Sequence, residues 1–217
     1  MNTLTSLQAL CAGGLLFAAV LTAQTLRLQL MIQLYAIASF FLAGITVTLA
    51  IQHGAQHLLF AAVATVAIKV CVIPFIVGRM AKRVNASMRL VSSLRSTTTL
   101  FLVIGVLLLV LFNFNHSAFF ASVNPTYILF ISISLVLIGF LMMVLRRDIY
   151  SEIIGFLTLE NGISLFSVAT IGSGPAYVEI GIFSAILIGA VLMTLLSRRV
   201  CELYGTESTD PMRELID

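Results

Sequence analysis

The chain has 217 residues, of which 60% are hydrophobic and 10% charged, with a mean hydropathy of +1.11. A soluble domain carries about 25% charged residues, so this chain cannot cover a water-facing surface and reads as an all-α integral membrane protein. The net charge of +3 is spread in pairs and small groups, which excludes a nucleic-acid footprint, and Cys11, Cys71 and Cys201 stand too far apart for a metal cluster or a disulfide framework.

A helix needs about 20 mostly apolar residues to cross the hydrocarbon. Seven runs meet that length, over 4–25, 30–51, 57–78, 97–113, 126–145, 149–171 and 176–197. The first is read as a span, because no basic segment or convincing cleavage pattern marks it as a signal peptide. The breaks carry turn and charge signals: Arg27, "QHGAQH", "GRMAKRVNASMRLVSSLR", "NFNHSAFFASVNP", "RRD", "GSGP" and "SRR".

Lysine and arginine set orientation. Arg27, Arg79, Lys82, Arg83, Arg89, Arg95, Arg146, Arg147, Arg198, Arg199 and Arg213 all fall on one side of a seven-span chain. The expected topology in a cell (inner) membrane is therefore N-terminus outside and C-terminus cytoplasmic. The tail after Cys201 is acidic, through Glu202, Glu207, Asp210, Glu214 and Asp217.

Spans one to three and five to seven repeat one pattern: a span, a basic hairpin, a span, an uncharged outer loop, and a span ending in arginine. The predicted organisation is a three-helix unit over 1–95, a linker helix and outer loop over 96–125, a second three-helix unit over 126–200, and a tail over 201–217. The odd fourth crossing puts the two units in parallel orientation. Inverted repeats are one signature of secondary transporters, so the parallel arrangement argues against a stand-alone carrier.

Two charges lie deep in spans. Glu160, in "GFLTLENGIS", falls near the middle of span six, where a carboxylate costs about 2.5–3.5 kcal/mol on insertion scales. Ser164 and Ser167 share its helical stripe, with Asn161 and Thr158 on the flanking faces. Such a set is suited to pass protons along a short chain of water; the plain alternative is a glutamic acid that ties two helices together. Lys69, in "AAVATVAIKVCVIPF", lies at similar depth by the helical rise. Pro74 follows five residues on and, lacking an N–H, deprives the Val70 carbonyl of its helical partner. Glu179 follows Gly174-Pro175 near a helix start, where the macrodipole alone would stabilise it. It is a third candidate for a proton relay, and His57 a candidate exit group in an outer loop. Asp148 and Glu152, near the basic hairpin, read as surface ion pairs.

Phosphate-binding, dinucleotide-binding and zinc-protease motifs are missing, as are paired histidines for haem. No catalytic site and no cofactor are expected in this chain.

"RRDIYSEIIGFLTLENGISLFSVA" is similar to the start of the second helix of the K-type subunit of respiratory complex I and of C-type subunits of multisubunit sodium/proton antiporters. The first membrane carboxylate of the complex I subunit would fall at Leu157 here, one turn before Glu160. Its second would fall near Ala185, where no carboxylate stands. The whole chain more closely resembles the hydrogenase-4 component E family, in "ENG" (Glu160 to Gly162), in "VEIGI" (Val178 to Ile182) and in the K-V-x-x-x-P of Lys69, Val70 and Pro74. The resemblance implies a non-catalytic membrane subunit of a group 4 nickel–iron hydrogenase, such as a formate hydrogenlyase. Its implied partners are antiporter-like membrane subunits and the subunit that anchors the hydrophilic arm, within the lipid bilayer. Lys69 then has two candidate partners, Glu160 or a carboxylate of a neighbouring subunit. The neighbour is expected, because a relay between subunits needs charges at their boundary. An antiporter C-type subunit, an independent small-molecule carrier and an assembly scaffold are the competing readings.

Overall fold

The computed structural model describes residues 3–54, 56–83, 96–116, 126–146 and 148–171. These residues form helices α1 (Thr3–Gln24), α2 (Leu28–His53), α3 (Gln56–Thr65), α4 (Ile73–Arg83), α5 (Ser96–His116), α6 (Thr126–Leu145) and α7 (Ile149–Ile171). A π-helical stretch, Val66–Val72, joins α3 to α4, so the two form one continuous run. Each of the first six predicted spans coincides with one run to within a few residues. Among the described residues, five stretches are long and apolar enough to cross a membrane: Thr3–Gln24, Leu28–Gln52, Ala62–Arg79, Thr97–Phe114 and Tyr127–Leu145. The 23-residue α7 packs along α6. The seventh predicted span, Glu179 and the acidic tail lie outside the described residues.

The π stretch sits where Pro74 has no N–H to give. Instead of the α pattern, the Ile73 N–H bonds the carbonyl of Ile68, five residues back. The missing donor is thus accommodated by a widened turn, and π turns of this kind concentrate at functional positions. Here the turn carries Lys69. Gly54 closes α2 at φ 64°, its N–H on the Ala50 carbonyl. Glycine takes this left-handed cap without a Cβ penalty.

Helices α6 and α7 make the closest pairing. A Cβ on Gly162 would lie 2.7 Å from the Val136 nitrogen and 2.8 Å from the Ser132 carbonyl oxygen, and one on Gly139 would overlap the backbone of Gly155 and Leu159. Small residues let helix backbones touch where no hydrophobic effect drives them together. The contact also orients α7. Residues 160 and 162 are about 200° apart on a helix, so seating Gly162 on α6 turns Glu160 towards the opposite side.

Two apolar clusters fill the bundle. One gathers Met31, Tyr35, Ile73, Val77, Ile138, Met142, Ile153 and Leu157 near the end that carries the α1–α2 and α6–α7 hairpins. The other gathers Leu15, Ala38, Leu42, Ile45, Ile128, Leu135 and Leu165 towards the far end. The polar site lies at the seam between them. The outer surface is apolar, with Leu10, Phe17, Phe60, Phe75, Phe101 and Phe112 exposed, as a lipid-facing or subunit-facing surface requires.

At the hairpin end, the expected surface ion pair of Asp148 is corrected. Asp148 is 4% exposed, and its Oδ1 accepts the Ser151 N–H at 2.7 Å. This caps the first turn of α7. Arg146, 2% exposed, donates from Nη2 to the carbonyls of Ala23 (2.7 Å) and Thr25 (2.8 Å). It thereby satisfies backbone acceptors at the end of α1 and clasps the two hairpins together. Burial holds the Asp148 carboxyl above its ordinary range, opposed by the Ser151 hydrogen bonds and by the Arg146 charge. Burial also lowers the Arg146 guanidinium, while Asp148 raises it.

Candidate functional site: a buried lysine–glutamate pair

Lys69 and Glu160 meet inside the bundle. Lys69 Nζ donates to Glu160 Oε1 at 2.6 Å, to Asn161 Oδ1 at 3.2 Å and to Ser164 Oγ at 3.2 Å. Ser164 Oγ in turn donates to Glu160 Oε1 at 2.8 Å. Asn161 Nδ2 donates to Ser39 Oγ on α2 at 3.2 Å. Lys69 is 1% exposed and Glu160 2%, so the pair is enclosed on every side by α2, the π turn and α7.

The expectation that Lys69 pairs with a neighbouring subunit is therefore corrected: its partner is Glu160 of the same chain. Sequence depth fixes position along the membrane normal only. Lateral position comes from the packing of α2 against α7 and against the π turn, which no helical period discloses. An ammonium has three N–H donors, and the three acceptors on α7 match them. A buried charge is tolerated when paired and hydrogen-bonded in this way.

The other expected residues divide. Asn161 and Ser164 belong to the site. Thr158 is buried but bonds back to its own helix, at the Ile154 carbonyl (2.8 Å); hydroxyls in helices commonly do so. Ser167 lies about one turn beyond Ser164 and is half-buried. His57 lies in the first turn of α3, twelve residues before Lys69 and about 18 Å from it along the helix rise. Glu179 is outside the described residues.

Sequence reasoning missed the contribution of α2. Tyr35, Ser39 and Thr46 are buried on one stripe with Met31 and Leu42. The spacing of four between Tyr35 and Ser39 was the available signal, diluted by the ordinary occurrence of serine in membrane helices.

Comparisons with known proteins bear on the setting of the chain. Residues 127–216 match the family model for NADH-ubiquinone/plastoquinone oxidoreductase chain 4L. An uncharacterized protein of Mycobacterium tuberculosis is 27% identical over 210 residues, 95% of this chain and 94% of that protein. Hydrogenase-4 component E of Escherichia coli and that of Shigella flexneri are each 26% identical over 172 residues, 79% of this chain and 80% of theirs. No solved structure matches the chain significantly. The chain is thus a multi-pass membrane protein similar to hydrogenase-4 component E over most of its length and to complex I chain 4L from residue 127 onward, which bears out the resemblance read from its residues.

Proposed function

We propose that this protein is a non-catalytic membrane subunit of a group 4 nickel–iron hydrogenase, of the formate hydrogenlyase kind, and that its Lys69–Glu160 pair takes part in proton or ion translocation coupled to electron transfer. The observation that carries the reading is the pair itself: two ionisable groups, buried where charge is costly, joined at 2.6 Å and held by Asn161 and Ser164. Intramembrane charges mark ion and proton paths by default. The likeness to hydrogenase-4 component E supports the setting. Partners in this reading are antiporter-like subunits and the arm-anchoring subunit, docked on the exposed apolar faces. The orientation is N-terminus outside and C-terminus cytoplasmic in the inner membrane, with two three-helix units of parallel sense.

When a proton arrives at Glu160, the carboxylate loses its charge and its hold on Lys69 weakens. The lysine is then poised to release a proton of its own, since an unpaired buried ammonium is strongly disfavoured. A pair coupled in this way can alternate between charged and neutral forms without exposing either group to water.

Purification of the tagged chain from its native membrane, with identification of co-purifying proteins by mass spectrometry, tests the setting. Hydrogenase and antiporter-like subunits are expected in the same complex. Recovery of the chain alone, together with ion flux from the purified chain in vesicles, would instead support a carrier.

A further inference from the structure

Glu160 uses its two oxygens unequally. Oε1 accepts from both Lys69 and Ser164, whereas Oε2 is buried with no hydrogen-bonding group against it among the described residues. A second buried atom in the same condition is Tyr35 Oη on α2. Tyr35 is 2% exposed and stands one turn before Ser39, which accepts the hydrogen bond of Asn161, the residue next to Glu160. The Tyr35 hydroxyl stands beside Ser39 without a well-directed hydrogen bond to it. Buried polar atoms of this kind are ordinarily satisfied by ordered water, and a phenol can both donate and accept.

We propose that Tyr35 Oη and Glu160 Oε2 hold a water molecule between them, and that Tyr35 is the group through which Glu160 exchanges its proton with the hairpin end of the bundle. The inference rests on the reading of Glu160 as a proton carrier. Its direction follows from the helix order. Tyr35 is one turn nearer the hairpins than Ser39. One turn further, Met31 Sδ accepts the Ser151 hydroxyl at 3.7 Å, and the Ser151 N–H bonds Asp148, whose Oδ2 is also buried and unmatched. On the other side of Glu160, Lys69 and Ser164 occupy Oε1, which leaves Oε2 as the oxygen that exchanges.

The step balances as a relay. The O–H bond at Oε2 breaks as the water accepts that proton; the water gives one of its own to the Tyr35 oxygen; the phenol's original proton passes to a further water on the hairpin side and from it to the Asp148 carboxylate, whose Oδ2 is buried and unmatched among the described residues, while the Met31 thioether carries no proton. One proton crosses, and no electrons move. Tyr35 remains a neutral phenol at the end, and rotation of its hydroxyl resets the path.

The test uses the intact complex carrying Tyr35→Phe, which keeps the ring and removes the hydroxyl. Proton transfer coupled to turnover should slow by about 100-fold, the lower end of the range for a lost proton-transfer group. The infrared C=O band of protonated Glu160, assigned as the band lost in Glu160→Gln, should shift as its water contact is lost. A wild-type rate in Tyr35→Phe overturns the inference, as does a slowed rate with an unmoved band, which would mean a packing role only. Where Tyr35→Phe fails to assemble, fluorotyrosine at position 35 preserves the shape and acidifies the phenol; an altered rate is expected and an unaltered one overturns the inference. Glu160→Gln separates the two levels. If it leaves proton transfer intact, the functional reading falls; if it abolishes transfer while Tyr35→Phe does not, only the role of Tyr35 falls.

Discussion

Lys69 donates to a carboxylate, an amide oxygen and a hydroxyl of α7. Removing one member of such a pair strands the other charge, at a cost of about 3–5 kcal/mol, whereas replacing both can be nearly neutral. Lys69→Met should therefore destabilise the purified chain by that amount, and Lys69→Met with Glu160→Gln should recover most of it. Thermal unfolding of the four forms in detergent measures the cycle; simple additivity would show that the two residues do not interact. Asp148 makes a second case at this scale. Asparagine keeps the helix cap and removes a buried charge, so Asp148→Asn should be neutral or stabilising, while Asp148→Ala should cost about 1 kcal/mol. The sign of the pH effect follows from the raised carboxyl. Folding favours the protonated form more than the unfolded chain does, so this group's contribution to stability improves as pH falls from neutral into the window between the folded and unfolded values. The Asp148→Asn protein should lack that component in a comparison of unfolding midpoints across pH.

At the scale of elements, the α6–α7 contact and the π turn determine where the pair sits. Gly139 faces backbone atoms of Gly155 and Leu159, which cannot move aside as a flexible side chain can. Gly139→Ala should destabilise by about 1–3 kcal/mol through overpacking. Gly13→Ala, where no atom lies within 4 Å of the new Cβ, should be neutral or stabilising by up to about 1 kcal/mol from helix propensity. Equal unfolding midpoints for the two variants would contradict the close helix contact. The ends of these elements were legible in the sequence because apolar length and turn residues fix them, as at Arg27 and Gly54. The register between elements was not. Pro74 announced an irregularity but not its form, a π turn in which the Ile73 N–H bonds the Ile68 carbonyl. Glu160 and Lys69 were visible as costly charges, while Ser39 and Tyr35 looked like ordinary membrane-helix residues until α2 was placed against α7.

For the molecule as a whole, the one-sided distribution of arginine and lysine predicts the topology. A reporter enzyme that is active only outside the cytoplasm should be active when fused after residue 116 and silent when fused after residue 217; the reverse pattern would reject the orientation. The central claim is that the enclosed Lys69–Glu160 pair moves protons for a larger complex. Its most direct test is proton uptake or release per turnover in vesicles containing the native complex, with Glu160→Gln compared to wild type at equal amounts of assembled complex. Glutamine keeps the shape and a hydrogen bond but removes the site of protonation. The complex should assemble and retain electron transfer, with coupled proton movement greatly reduced. Undiminished proton movement in that complex would contradict the claim and leave the pair a structural tie between helices.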